Sequence, residues 1–260
     1  MSALRLLLPG PADVGDLERG RADALQALAD LYAYPEPVPA QGWVRANMVA
    51  TLDGAAADTS GSSRGISAPA DQAVLGVLRA LADVVLVGAG TARGEDYRPL
   101  PARPAFAARR GAAGQAPAAV LAVVTRSGDL GPASPLVAPD AATLVVTCAD
   151  GPVDRLRALV GDARVVVAGD ADVDPAAAVT ALAGLGLRRV LVEGGPSLLG
   201  AVAGAGRLDE LCLTWSPLVV GGEAPRIAHG VPADLRLRPA HLLSADGLLL
   251  GRWLVLPARS

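Results

Sequence analysis

The sequence contains no lysine; all 23 of its basic residues are arginine. Chemistry built on an ε-amine is therefore excluded. No Schiff-base lysine can form, which removes pyridoxal-phosphate enzymes and lysine aldolases. No phosphate-loop lysine exists, which removes an ordinary P-loop nucleotidase. Histidine is nearly as scarce, with only His229 and His241, too few for a well-supported serine triad or two-histidine metal site. The two cysteines, Cys148 and Cys212, lie far apart and outside any Cys-x-x-Cys pair. Free thiols and no metal site are expected. Arg79 and Asp83 interrupt the longest apolar stretch, which falls short of the ~18 residues of a membrane span. The opening Leu4-Arg5-Leu6-Leu7-Leu8-Pro9 is too short for a signal-peptide core, so a cytoplasmic location is expected. The net charge of −3 does not suit nucleic acid, which asks for a basic face. A small molecule or a second copy of the chain is the expected partner.

Aromatic residues make up 3% of the chain and apolar residues 52%, so the core must be built mainly from Leu, Val and Ala. The 260 residues suit one domain or two small ones. We read residues 1–41 as a lead-in and 42–260 as a single domain. In the lead-in, Leu4 to Leu8 reads as a short strand and Leu17 to Tyr32 as a helix, ended by Pro35, Pro37 and Pro39. Trp43 to Thr51 reads as a strand entering the Asp53-Gly54 turn. Ala73, Val74, Val77, Leu78 and Leu81 share one helical face after Pro69. Val84-Val85-Leu86-Val87 is continuous and β-branched, as in a strand buried on both faces. Residues 97–117 carry four prolines and four arginines and read as a long mobile loop. Strands follow at Ala119 to Thr125, Leu144 to Thr147, Arg164 to Ala168 and Arg189 to Glu193. Helices are expected at Asp154 to Val160, after Asp174-Pro175 with Val179, Leu182 and Leu185 inward, and from the Gly-Gly-Pro turn to Ala205. Glu210 to Trp215, Ala240 to Ser244 and Leu248 to Leu256 read as antiparallel strands, with Asp246-Gly247 as a hairpin turn. The alternation predicts an α/β fold with a mixed, mostly parallel central sheet flanked by helices, closed by a C-terminal antiparallel hairpin.

Four constellations carry chemistry. The strongest is Glu193-Gly194-Gly195-Pro196-Ser197, where a buried strand passes into a helix. Two positions lack a Cβ, so backbone amides can approach a ligand. The free amides and dipole of the following helix favour an anion there. A turn that binds nothing is the plainer reading of the same residues. Gly88-Ala89-Gly90-Thr91-Ala92-Arg93-Gly94 is a second such turn, with the third glycine one residue late for the Rossmann pattern. Thr125-Arg126-Ser127-Gly128 is the third; its arginine and hydroxyls could hold a 2′-phosphate. The fourth, Asn47 to Gly54, alternates Asn47, Thr51 and Asp53 along a strand and turn, where a carboxylate can orient a substrate or supply a proton.

Taken in this order, the pieces resemble the reductase domain of the bacterial riboflavin-biosynthesis deaminase–reductase and its free-standing archaeal and fungal relatives. The matching residues are Asn47-Met48, Leu52-Asp53-Gly54, Ser60-Gly61, Leu78-Arg79-Ala80, Asp83, Val87 to Thr91, Val192 to Leu198, Leu208-Asp209-Glu210 and Pro217 to Gly222. The resemblance spans roughly residues 43 to 256. The lead-in Leu31-Tyr32-Ala33-Tyr34-Pro35 is similar to that of actinobacterial stand-alone members. The resemblance implies a dihydrofolate-reductase-like fold, NADPH as hydride donor and a homodimer. On the cofactor side it places Gly90, Thr91 and Glu95, then Thr125, Arg126 and Ser127. It also places the turn of Gly194, Gly195, Pro196, Ser197 and Leu198 there. On the substrate side it places Asn47, Ser63, Arg79 and Glu193, with Asp53 and Glu193 as the candidate catalytic carboxylates. The chain departs from the family pattern at Ala55, where lysine is frequent, and at Gly65, where an aromatic is. Glu95-Asp96-Tyr97 stands in place of Asp-Asp-Pro, and Arg98 and Arg103 compete for the place of an arginine that faces substrate phosphate. No His-Ala-Glu and no Pro-Cys-x-x-Cys of the deaminase half occurs.

The implied reaction is hydride transfer from NADPH to an electrophilic carbon of a pyrimidine-type substrate, as in 5-amino-6-(5-phosphoribosylamino)uracil reductase. Two other readings stay open at this point: a dihydrofolate or other pterin reductase, and an NADPH-binding regulator without turnover.

Overall fold

A computed structural model describes residues 3–10, 12–18, 20–131, 134–139 and 141–257. Among the described residues eleven strands form one sheet in the order β2-β1-β10-β11-β9-β3-β8-β4-β5-β6-β7. The strands are β1 (Ala3–Leu8), β2 (Ala12–Asp16), β3 (Trp43–Thr51), β4 (Val84–Gly88), β5 (Val120–Val124), β6 (Thr143–Thr147), β7 (Val165–Val167), β8 (Arg189–Val192), β9 (Glu210–Ser216), β10 (Leu237–Ala245) and β11 (Leu248–Val255). From β9 through β7 every neighbouring pair is parallel, whereas β9, β11, β10, β1 and β2 pair antiparallel. The expected mixed, mostly parallel sheet with a C-terminal antiparallel hairpin is thus the observed one. At that hairpin, Asp246 and Gly247 have φ of 51° and 82°, the two positive values that a type I′ turn needs.

Among the described residues seven α-helices flank the sheet: α1 (Arg21–Leu31), α2 (Pro69–Leu81), α3 (Ala89–Gly94), α4 (Ala107–Ala112), α5 (Val153–Val160), α6 (Pro175–Gly184) and α7 (Pro196–Gly204). The apolar face expected on α2 is buried, with Val77 and Leu78 at 0% exposure. Each such fully buried side chain stabilises the fold by ~1.5–3 kcal/mol. Asp174 caps α6 by accepting from the Ala176 and Ala177 amides at 2.8 and 3.3 Å. Leu185, expected inward, is exposed, because α6 ends a residue before it and Gly186 turns the chain with φ of 83°.

Two segments differ from the sequence reading. Within residues 1–41, read as a lead-in, β1 pairs with β10, and Leu4, Leu28 and Tyr32 enter the same buried cluster as Val77 and Leu191. The Arg/Pro-rich stretch contains α4 and is pinned to the body. Phe106 is buried, and the buried Arg110 donates to the carbonyls of Ala80, Ala82 and Ala116. Arg110 thereby satisfies carbonyls at the end of α2 that have no partner within the helix.

The antiparallel and parallel halves meet at a buried charge cluster. Glu210 on β9 accepts from Arg45 Nε at 2.6 Å, Arg252 Nε at 2.9 Å and the Trp43 indole at 3.2 Å. Arg252 also donates to the carbonyls of Leu31 and Ala33, tying in the end of α1. Tyr34 lies 4.1 Å from the Arg45 guanidinium, face on. Burial pushes the Glu210 carboxyl up, but Arg45 and Arg252 outweigh it and hold the group below its ordinary range. A buried arginine that loses its only carboxylate is left uncompensated. Glu210→Ala is therefore expected to cost ~3–5 kcal/mol, read as a lower urea midpoint. Because the folded pKa is depressed, the Glu210 contribution is complete above the ordinary glutamate value of about 4.3. It fades as pH falls through the lower folded value, so the difference between wild type and Glu210→Ala should shrink in acid.

Candidate functional site

The parallel run of β3, β8, β4 and β5 brings their carboxyl ends to one edge, the side on which open α/β sheets bind ligands. A cavity of about 520 Å³ opens there, with Asn47, Met48, Thr91, Tyr97, Glu193 and Gly195 in its lining. A second cavity of about 390 Å³ is lined by Ser67, Arg79, Arg98 and Leu100. Ser63, Leu75, Thr91, Glu95, Tyr97 and Glu193 line both and form the wall between them. A third hollow, of about 450 Å³, spans the ends of β4 and β5 over Gly90, Arg93, Thr125, Arg126, Ser127 and Asp150.

The turn after β8 is built for close approach. Gly194 has φ of 91°, and the Gly194–Gly195 peptide is cis. The Gly88 amide donates to the Gly194 carbonyl at 2.8 Å, which joins the ends of β4 and β8. A Cβ on Gly195 would come within 2.6 Å of Thr91 Oγ1. Gly195 then caps α7 with no side-chain acceptor, and Pro196 opens the helix. By helix geometry the amides of Ser197 and Leu198 have no intrahelical partner, and they point with the helix dipole toward the edge where an anion would sit.

Glu193 and Arg79, both expected to face substrate, face each other. Arg79 Nε donates to Glu193 Oε1 at 2.7 Å and Nη2 to Oε2 at 2.5 Å. The Tyr97 hydroxyl adds a third bond to Oε2 at 2.7 Å. Burial works against the charge on Arg79, but Glu193 more than offsets it and raises the pKa. Burial and then the Glu193 charge push the Tyr97 phenol well up, so it stays a donor. The Glu193 carboxylate is only 3% exposed and is occupied by protein donors, so in this arrangement it acts on its surroundings through Arg79 and Tyr97.

The remaining candidates fall into two groups. Asn47, Ser63, Gly90, Thr91 and Glu95 line the first cavity. Glu95 Oε1 accepts from the Ser63 amide and hydroxyl at 3.0 and 3.1 Å, and Arg64 pairs with its other oxygen at 3.0 Å. Glu95 therefore fastens the 58–67 loop to α3. Thr125, Arg126 and Ser127 line the third hollow. The buried Thr125 hydroxyl accepts from the Gly128 amide at 2.9 Å, and the exposed Arg126 pairs with Asp172 at 3.2 Å. Asp53 stands apart from all three linings. It accepts from the amides of Gly221 at 2.7 Å and Val220 at 3.2 Å, and from the Thr51 hydroxyl. The Thr51 hydroxyl first, then those amides, hold its carboxyl below the ordinary range. Asp53 thus pins the 217–222 segment to the end of β3. Among the described residues no cluster of His, Cys, Asp or Glu is placed to hold a metal ion.

Two contributors, Tyr97 and Met48, carry no role in the sequence reading, and Arg103 stands there only as one of two arginines competing for the place that faces substrate phosphate. Met48 was quoted only as part of a motif; its sulfur would lie 3.3 Å from a Cβ on Gly194. Arg103 crosses α2 at Gly76, where an added Cβ would meet its Nη1 at 2.7 Å. Burial first, and then Arg79 and Arg21 nearby, lower its pKa. The available signal for Tyr97 was its rarity: it is one of three tyrosines and interrupts a polar Arg/Pro-rich stretch.

The family model for the RibD C-terminal domain matches residues 42–249. A 2,5-diamino-6-ribosylamino-4(3H)-pyrimidinone 5′-phosphate reductase of Archaeoglobus fulgidus is 29% identical over 189 residues, 72% of this chain and 86% of that protein. The riboflavin biosynthesis protein RibD of Mycobacterium tuberculosis is 31% identical over 172 residues, 66% of this chain and 41% of that longer protein. The crystal structure of a pyrimidine reductase-like protein from Corynebacterium diphtheriae superposes with a TM-score of 0.79 at 26% identity, covering 89% of this chain and 99% of that one. The mixed, mostly parallel sheet with flanking helices is the architecture shared with that pyrimidine reductase-like structure.

The fit of Gly195 against Thr91 generates a paired prediction. Gly195→Ala places a methyl group inside the Thr91 hydroxyl and should cost ~1–3 kcal/mol, as overpacking does, read as a lower thermal midpoint. Adding Thr91→Ala removes the clashing oxygen; the nearest remaining atom, Thr91 Cβ, is 3.9 Å away. The double variant should recover most of the loss. A double variant no more stable than Gly195→Ala alone would show that the contact is not the cause.

Proposed function

The chain belongs to the RibD C-terminal domain family, and from that premise we propose that it is an NADPH-dependent reductase of a 5′-phosphorylated ribosylaminopyrimidine. The observation that carries the reading is the alignment of three phosphate-competent strand ends beside a cavity divided by the Glu193 wall. NADPH, when bound, supplies the hydride from C4 of its nicotinamide. The residues present fit such a cofactor: the amides of Ser197 and Leu198, at the start of α7, have no intrahelical partner and would be free for its diphosphate. Thr91 and Gly90 stand beside that anion. Thr125, Arg126 and Ser127, one strand over, serve the 2′-phosphate. Asn47 and Met48 line the inner end of the first cavity, where the nicotinamide would meet the substrate.

On the substrate side, Ser63 and Arg79 offer donors, and Glu193 orients Arg79. The protein's share in catalysis is position: it holds donor and acceptor carbons together and closes them from water. Asp53 supports the rim by fixing the 217–222 segment. The arginines that line the second cavity, Arg64, Arg79 and Arg98, favour a phosphorylated substrate over a pterin, which has no phosphate.

The chain is further proposed to act as a homodimer in the cytoplasm. Leu213, Trp215, Leu249 and Trp253 lie together on one face of β9 and β11, half-buried or exposed in the single chain. Gly251 leaves room for that pair of indoles, since a Cβ there would lie 2.5 Å from Trp253 Nε1. The two cysteines are free and buried, in keeping with a reducing compartment. Among the described residues no helix is long and apolar enough to cross a membrane.

The direct test is NADPH oxidation at 340 nm with the phosphorylated diaminopyrimidinone, its uracil counterpart and dihydrofolate. Turnover is expected with a ribosylaminopyrimidine phosphate and not with the pterin. Tight NADPH binding without turnover of any of them would favour a regulator instead. Arg126→Ala should weaken NADPH about tenfold to a hundredfold, the loss of one charge-assisted bond, and leave NADH nearly unchanged. Equal losses for both cofactors would remove Arg126 from the 2′-phosphate.

A further inference from the structure

We propose that Tyr97 is a positioning residue that aims the outer edge of the Arg79 guanidinium into the second cavity, as a seat for the phosphate of the substrate. The inference rests on the reductase reading above and concerns a side chain for which the family resemblance assigns no role.

The geometry begins at the end of α3. Asp96 turns the chain with φ of 51°, and the Tyr97 amide donates back to the Ala92 carbonyl at 2.9 Å. That turn sends the Tyr97 side chain into the wall between the two cavities. There it makes two contacts with one ion pair. Its hydroxyl donates to Glu193 Oε2 at 2.7 Å, and its ring lies 5.4 Å from the Arg79 guanidinium carbon. Glu193 is therefore fixed by three donors, and Arg79 is gripped along its inner edge by Nε and Nη2.

A guanidinium has five N–H groups in a rigid fork. Two of those on Arg79 are spent on Glu193, one each from Nε and Nη2. The others, on Nη1 and the far side of Nη2, form a second edge. Arg79 lines the second cavity and not the first, so that edge is the one a ligand there would meet. Two parallel N–H groups match two oxygens of a phosphate.

The surrounding charge agrees. Arg64 is paired with Glu95 and Arg98 with Asp96. Arg103, held over Gly76 three residues before Arg79, makes no ion pair among the described residues. The Arg79–Glu193 pair is neutral in sum, so Arg103, with Arg21 near it, leaves positive charge in excess beside this corner. An oxyanion would balance it.

Tyr97→Phe keeps the ring and deletes only the bond to Glu193, so it separates aim from bulk. With the phosphorylated substrate, KM should rise about tenfold, the weight of one hydrogen bond to a charged group, while kcat stays within about twofold. The Kd for NADPH and the kcat/KM for the dephosphorylated substrate should not move. Tyr97→Leu, which removes the ring as well, should raise KM further. Titration calorimetry with ribose 5-phosphate, against ribose as control, reads the same seat without turnover and should show the same loss in Tyr97→Phe. Equal losses for phosphorylated and dephosphorylated substrates, or an unchanged KM, would overturn the proposal. If wild type reduces no pyrimidine, the reductase reading fails by itself. Tyr97-dependent binding of ribose 5-phosphate would still uphold the seat, and Tyr97-independent binding would end it.

Discussion

The sheet holds together as one object because of the buried contact between Glu210 and the arginines Arg45 and Arg252. Each residue comes from a different strand: β9, β3 and β11. Two cations on one carboxylate compensate the cost of taking all three from water, provided the remaining donors also find partners. Arg252 finds them in the carbonyls of Leu31 and Ala33, Arg45 lies against the face of Tyr34 with its Nη1 left without a hydrogen-bond partner, and the Trp43 indole adds a further donor to the Glu210 carboxylate. The antiparallel half is thereby locked to the parallel half in a fixed register. That register places β3 beside β8, and so Asn47 and Met48 opposite the Gly194-Gly195 turn.

A second ion pair, Arg79 with Glu193, repeats the principle at the rim of the ligand space with a different outcome. The first is sealed and only holds structure. The second stands in a wall between two cavities, with 24% of the arginine side chain exposed. Its carboxylate is nearly out of reach, so what it presents to a ligand is the unspent edge of the cation. Glu193, read in the sequence as a substrate-side acid, holds the Arg79 guanidinium in place in this structure.

Much of this was legible in the sequence where the signal is local. The β3 bounds follow from apolar patterning and the turn at Asp53-Gly54. The α6 start follows from Asp174-Pro175, and the last hairpin from Asp246-Gly247. The three Gly/Ser/Thr turns were readable as strand ends, and strand adjacency then placed them on one edge. What was not legible depends on partners far away in the chain. Arg79 and Glu193 are 114 residues apart, and no period links them. Arg110 turned an Arg/Pro-rich stretch into an anchored helix only because α2 ends where its carbonyls can be reached. Leu4 and Leu28 looked detachable because the strand that pairs with β1 comes more than two hundred residues later. Tyr97 carried only the weak signal of an aromatic in a polar stretch. Its meaning required the position of Glu193.

The two edges of the sheet bear on how the molecule behaves in a crowded solution. An open sheet offers unpaired amides and carbonyls at both sides, a template on which further strands can grow. Here both borders are poor templates. β7 is only three residues long, and β2 is five residues with Asp at positions 13 and 16 and a glycine at φ of 146°. The pairing of β2 with β1 also slips register between Leu4 and Arg5, which bends the border away from flatness. Growth by strand addition is thus discouraged at either end, and the sheet can stand open at both borders without inviting further strands.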